Sequence, residues 1–126
     1  MKEQFVIYEI ALILKEKGFD QPCFGYYYDE GKFSFWNWTV CKDYPYLTKN
    51  SSLILSKNSI AAPLWQQVFT WLRDVHDIDI NIETGGLPKM YAVFVKDWIY
   101  ENEKDRALFT YEDAQEQAIL KALELI

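Results

Sequence analysis

Between Phe24 and Trp38, eight of fifteen residues are aromatic (Phe24, Tyr26, Tyr27, Tyr28, Phe33, Phe35, Trp36 and Trp38), and they flank the polar break Asp29-Glu30-Gly31-Lys32. Two ring-rich runs joined by a glycine-ended turn predict a β-hairpin, with strands over Cys23 to Tyr28 and Phe33 to Val40. The period of two places Phe24, Tyr26 and Tyr28 on one face of the first strand. On the second, Phe33 and Phe35 share a face, while Trp36 and Trp38 point the other way with Ser34. A hairpin in a small domain buries one face and wets the other, so this strip carries more rings than one core face needs. The surplus points to recognition. Tyr27, Trp36, Trp38 and the nearby Tyr44 are the expected contact residues, because tyrosine and tryptophan offer large contact area with little rotamer entropy to lose.

The 126-residue chain suits one α+β domain spanning 1–126. Folding at this size removes roughly two-thirds of the unfolded chain's surface from water, so an unaided core is feasible. Residues 1–61 hold seven basic and seven acidic side chains, whereas 62–126 hold six and twelve and therefore carry the whole net charge of −6. That sign repels phosphate backbones and disfavours direct nucleic-acid binding. Glu9 and the Lys15-Glu16-Lys17 run interrupt the apolar start, which argues against a signal peptide, and no apolar run reaches the roughly 18 residues of a membrane span. Cys23 and Cys41 read as reduced thiols of a cytoplasmic protein, with a single bridge between them as the alternative.

Helical spacing over Glu3 to Lys17 brings Phe5, Tyr8, Ala11 and Leu12 into a stripe that Ile7, Ile10, Ile13 and Leu14 widen. Gly18 supplies a left-handed stop, and Phe19 folds back onto the cap. The pattern weakens from Cys41 to Ala62, where a short strand or a surface flap packed by its own apolar residues is expected. Pro63 then stands at the first position of a second helix, whose stripe is Leu64, Val68, Trp71, Leu72 and Val75, broadened by Trp65 and Phe69. Asp77 to Glu83 alternates as a strand buried on one side, Gly85-Gly86 marks the turn, and Lys89 to Asp97 returns, extended by Trp98 and Tyr100. After an acidic linker, Thr110 caps a last helix, with Glu112 and Asp113 in its first turn and Tyr111, Ala114, Ala118, Ala122 and Leu125 facing inward. The predicted order is α-β-β-α-β-β-α, a mostly antiparallel sheet made from two hairpins with helices packed mainly on one face.

The stretches Gly18-Phe19-Asp20-Gln21-Pro22-Cys23-Phe24-Gly25-Tyr26-Tyr27, Ala62-Pro63-Leu64-Trp65-Gln66-Gln67 and Thr110-Tyr111-Glu112-Asp113-Ala114 resemble a group of small uncharacterised proteins of gut bacteria and their phages. The likeness spans nearly the whole chain. It implies a phage or mobile-element setting and assigns no activity or catalytic residue.

Candidates for chemistry are sparse. His76, the sole histidine, lies beside Asp74 and Asp77 and would be a general base or metal ligand only with a second partner of matching spacing. As a cation at a helix C-terminus it needs none. Asp77, Asp79 and Glu83 are the expected outward set of an alternating strand and lack the glycine and ligand pattern of a calcium loop. No phosphate loop, nucleophile elbow, zinc-protease or dinucleotide fingerprint occurs. No enzyme activity, metal or cofactor is therefore expected. The leading expectation is a non-enzymatic intracellular interaction protein that uses the aromatic hairpin, with a protein partner or a second copy of itself as a homodimer. One alternative is a protein that binds a small planar ligand or nucleotide by ring stacking. The other is an acidic inhibitor whose Glu101, Glu103 and Asp105 occupy the nucleic-acid site of a host defence protein.

Overall fold

The computed structural model describes residues 4–35, 49–52, 59–85, 90–96, 98–100 and 110–126. These form an α+β fold in two compact units, 1–65 and 66–126. The predicted α-β-β-α-β-β-α order is present, with each hairpin heading its own three-stranded antiparallel sheet.

The first unit contains α1 (Tyr8–Glu16), β1 (Gly25–Tyr28), β2 (Lys32–Phe35), a 3-10 turn (Asn50–Ser52) and β3 (Ile60–Ala62). Helix α1 starts five residues later than its propensity suggests. Phe5 bridges Leu64, and the Val6 N–H donates to the Pro63 carbonyl at 2.9 Å, so the chain before Tyr8 is held extended. The same pairing delays the second helix, which begins at Trp65, so that Pro63 precedes it as an acceptor. Long-range hydrogen bonds thus override propensity at both helix starts. The end of α1 follows its local signals. Gly18 sits at φ 88°, the Gly18 N–H reaches the Lys15 carbonyl, and the Phe19 N–H reaches that of Leu14 at 2.9 Å. This is the paired bonding of a Schellman cap, and the Phe19 ring is buried behind it. The inward stripe of α1 is Ile10, Ala11 and Leu14, while Leu12 is exposed.

The sheet of this unit runs β2-β1-β3, and α1 packs against β3. Gly25 pairs with Phe35 and Ala62, Tyr26 with Ser34 and Ala61, and Tyr27 with Phe33 and Ile60. Strand β3 answers the expectation of a short strand in the weakly patterned stretch.

The second unit holds most of α2 (Trp65–His76), then β4 (Ile80–Gly85), β5 (Met90–Val95), β6 (Trp98–Tyr100) and α3 (Tyr111–Glu124). Val68, Trp71 and Leu72 of α2 are buried as the spacing requires, but Val75, on the same stripe in the last turn of the helix, is 58% exposed and does not join the core as expected. After α2 the chain turns through Asp77 at φ 55°, a conformation aspartate tolerates, and the Ile78 N–H closes back on the Leu72 carbonyl. Trp98 and Tyr100 do not extend β5. The chain reverses at Lys96, φ 51°, and β6 pairs back with Val95 opposite Trp98 and Val93 opposite Tyr100. A left-handed residue in a two-residue connection is what a tight hairpin needs, and a lysine there carries no strong sequence signal.

Helix α3 packs on β5 and β4. The Thr110 side chain accepts from the Asp113 N–H at 3.0 Å, the predicted cap. Ala114, Ala118 and Ala122 face inward as expected, joined by Gln115, Ile119 and Leu123, whereas Tyr111 and Leu125 at the two ends are exposed. Among the described residues, no helix is long and apolar enough to cross a membrane.

Candidate functional site

The aromatic hairpin turns through Asp29 (φ 44°), Glu30 (φ 60°) and Gly31 (φ 128°), closed by the Gly31 N–H on the Tyr28 carbonyl at 3.2 Å. Only glycine takes the third of these angles without strain. Lys32 reaches back to Asp29 at 3.7 Å, and both side chains stay mostly in solvent, so this ion pair contributes little.

Rings occupy both faces of the ribbon, as the alternation requires. On the inner face Tyr27 meets Phe33 at 5.3 Å between centroids and Tyr8 edge-on at 5.4 Å, and Phe33 meets Phe5 at 5.0 Å. Strand β1 can approach Phe5 so closely only because residue 25 is glycine. A Cβ there would lie 2.7 Å from the Phe5 ring and 3.0 Å from the Ala62 carbonyl oxygen. On the other face Tyr26 and Tyr28 lie side by side at 6.0 Å, in the rows of Ser34 and Lys32, and both keep part of their surface in water.

Tyr27 belongs to the interior and not to the contact face. It is 2% exposed, and its hydroxyl donates to the Val6 carbonyl at 2.6 Å. Burial, with a smaller contribution from the Glu9 carboxylate, pushes its pKa up to about 12. The correction follows from register. Tyr27 shares a row with Phe33 and Ile60, the row that meets Phe5 and Tyr8, so the phenol is drawn inside and needs an acceptor there. Trp36, Trp38 and Tyr44, and the acidic Glu101, Glu103 and Asp105, lie outside the described residues.

Sequence reasoning missed Asn50. Its amide donates to the Phe19 carbonyl at 2.8 Å and accepts from the Ala61 N–H at 3.0 Å, joining the end of α1 to β3. The adjoining Ser51 N–H donates to the Asp20 carboxylate at 2.7 Å. That carboxyl is held below its ordinary pKa first by the Ser51 side chain and then by this backbone bond. No local pattern marks an asparagine in a polar tract as a clamp between Phe19 and Ala61, segments more than forty residues apart.

Cys23 is fully buried, its thiol donating to the Gln21 carbonyl at 3.2 Å, and Cys41 lies outside the described residues. His76 ends α2 with its ring edge-on to Trp71 at 4.6 Å, and its enclosed Nε2 has no hydrogen-bond partner among the described residues. Among the described residues, no three His, Cys, Asp or Glu side chains gather in a group that could hold a metal ion. Asp79, just before β4, and Asn81 and Glu83 within it are exposed on its wet side, with the Asn81 amide donating to Glu83 at 3.1 Å. The chain matches no family model, no curated protein and no solved structure.

Proposed function

We propose that this protein is a non-catalytic binding module that engages a protein partner through the second face of its aromatic hairpin. The observation that carries the reading is the division of labour across the ribbon. Tyr27 and Phe33 fill the inner face with Phe5 and Tyr8, and Tyr26 and Tyr28 lie together on the opposite face with surface left in water. Two adjacent tyrosines on a strand supply contact area and hydroxyl donors at small entropic cost, the usual composition of a contact centre. Tyr26 and Tyr28 therefore replace Tyr27 in the contact set, beside Trp36, Trp38 and Tyr44. Two cysteines without the spacing of a disulfide framework suit a reducing compartment, and we propose a cytoplasmic location.

Affinity capture from host lysate with the wild type and a Tyr26→Ser/Tyr28→Ser variant tests the proposal. The variant keeps its circular dichroism spectrum and loses the captured protein. Undiminished capture by the folded variant overturns the reading. A thermal-shift screen against nucleotides is the complementary control, because a ligand that binds only the native state raises the melting temperature by mass action.

A further inference from the structure

Sheet edges expose unpaired backbone groups, and among the described residues two of the edges are short or covered. Beyond β3 the Ala61 N–H is taken by the Asn50 side chain, and β6 is only three residues long. Strand β4 differs. It runs six residues in unbroken register with β5, from Ile80 opposite Val95 to Gly85 opposite Met90, and among the described residues it is the outermost strand of its sheet.

The hydrogen-bond phase of β4 is fixed by the Lys96 N–H, which donates to the Asp79 carbonyl at 3.5 Å. In an antiparallel ladder, bonded and non-bonded pairs alternate. Asn81 with Phe94 and Glu83 with Ala92 are therefore bonded pairs, and the N–H and C=O groups of Ile80, Ile82 and Thr84 point away from β5. Among the described residues, no hydrogen bond reaches them from that side. The Ile80 and Ile82 side chains stand in the rows of the fully buried Val95 and Val93, yet both are only half-buried.

We infer that β4 is a self-association edge whose occupant is a second copy of β4, antiparallel about a twofold axis at Ile82. Only this centre places all three outward-facing residues in bonding register, Ile82 with Ile82 and Ile80 with Thr84 of the other copy. It also sets Ile82 against its own counterpart, covering apolar surface that a single chain leaves half open. In the intervening rows, the Asn81 of each copy stands opposite the Glu83 of the other. An amide donor thus faces a carboxylate acceptor twice, and no carboxylate faces another in these rows. An edge that complements itself in this way forms a closed, isologous dimer and not an open fibre. This inference uses none of the hairpin residues and stands whether or not the hairpin binds a partner.

Sedimentation equilibrium across a concentration series, with amide exchange read at low and high concentration, tests the inference. Wild-type protein shifts from monomer to dimer as concentration rises. Exchange at Ile80, Ile82 and Thr84 slows with it, while Asn81 and Glu83, bonded to β5, are protected throughout. Asn81→Asp sets carboxylates against Glu83 at both symmetric positions and weakens the dimer by about tenfold or more, whereas Asn81→Lys keeps or tightens it. Both changes lie on an exposed position and leave the monomer folded. A chain that stays monomeric at millimolar concentration overturns the inference. So does a dimer indifferent to both substitutions, or one that leaves exchange at residues 80, 82 and 84 unchanged.

Discussion

Replacing Tyr27 by phenylalanine deletes one oxygen atom from the interior of the first unit and leaves the buried Val6 carbonyl without its donor. The ring contacts with Tyr8 and Phe33 survive, so the loss isolates the hydrogen bond. Stranding a buried acceptor costs about 1 to 3 kcal/mol, and about 2 kcal/mol is expected here at pH 7. Urea denaturation reads it as a lower midpoint at an unchanged slope. The pH dependence is a second and sharper signature. The folded-state pKa of Tyr27 is about 12 against an ordinary value of 10.0, because burial and the Glu9 carboxylate both disfavour the phenolate. A raised acid pKa means that the folded state keeps a proton the unfolded chain releases. The stabilisation is complete below pH 10 and is lost as pH climbs from 10 towards 12, by about 1.4 kcal/mol per pH unit at most. Phenylalanine has no such proton. The wild-type advantage therefore shrinks over this window and approaches zero near pH 12. Equal stability at pH 7, or stability curves for the two proteins that stay parallel from pH 9 to 12, would refute the assignment of Tyr27 as a buried, bonded phenol.

Gly25→Ala drives a methyl group into the Phe5 ring and the Ala62 carbonyl and lowers stability by about 1 to 3 kcal/mol; a Gly25→Ala/Phe5→Leu pair loses less than the sum of the singles, measured as a double-mutant cycle in urea. Asn50→Ala removes the bonds to Phe19 and Ala61 and costs about 2 to 3 kcal/mol, while Asn50→Asp, which keeps the acceptor for Ala61 but offers no donor to Phe19, recovers only part of it in the same assay. Thr110→Ala removes the cap of α3 and costs about 1 kcal/mol, and Thr110→Ser restores most of it in thermal denaturation.

What the amino-acid sequence determined by itself was everything set within a few residues. The Gly18-Phe19 stop, the Thr110 cap, the alternation of Asp79, Asn81 and Glu83 with isoleucine, and the two-faced aromatic ribbon depend on short-range geometry. The order of helices and hairpins follows from them. Tertiary structure decided which of those faces turned inward and where each helix began. Tyr27 and Tyr26 are equivalent in composition, and only the pairing of β1 with β2 and β3, with Phe5 lying over Gly25, sends one phenol to the Val6 carbonyl and leaves the other at the surface. Helix starts moved for a related reason. Phe5 and Val6 pair with Leu64 and Pro63 across almost sixty residues, and a bond of that span leaves no trace in a local window. The open edge of β4 was equally invisible, because its direction depends on a ladder phase fixed by contact between distant residues and not by the order of side chains along the strand.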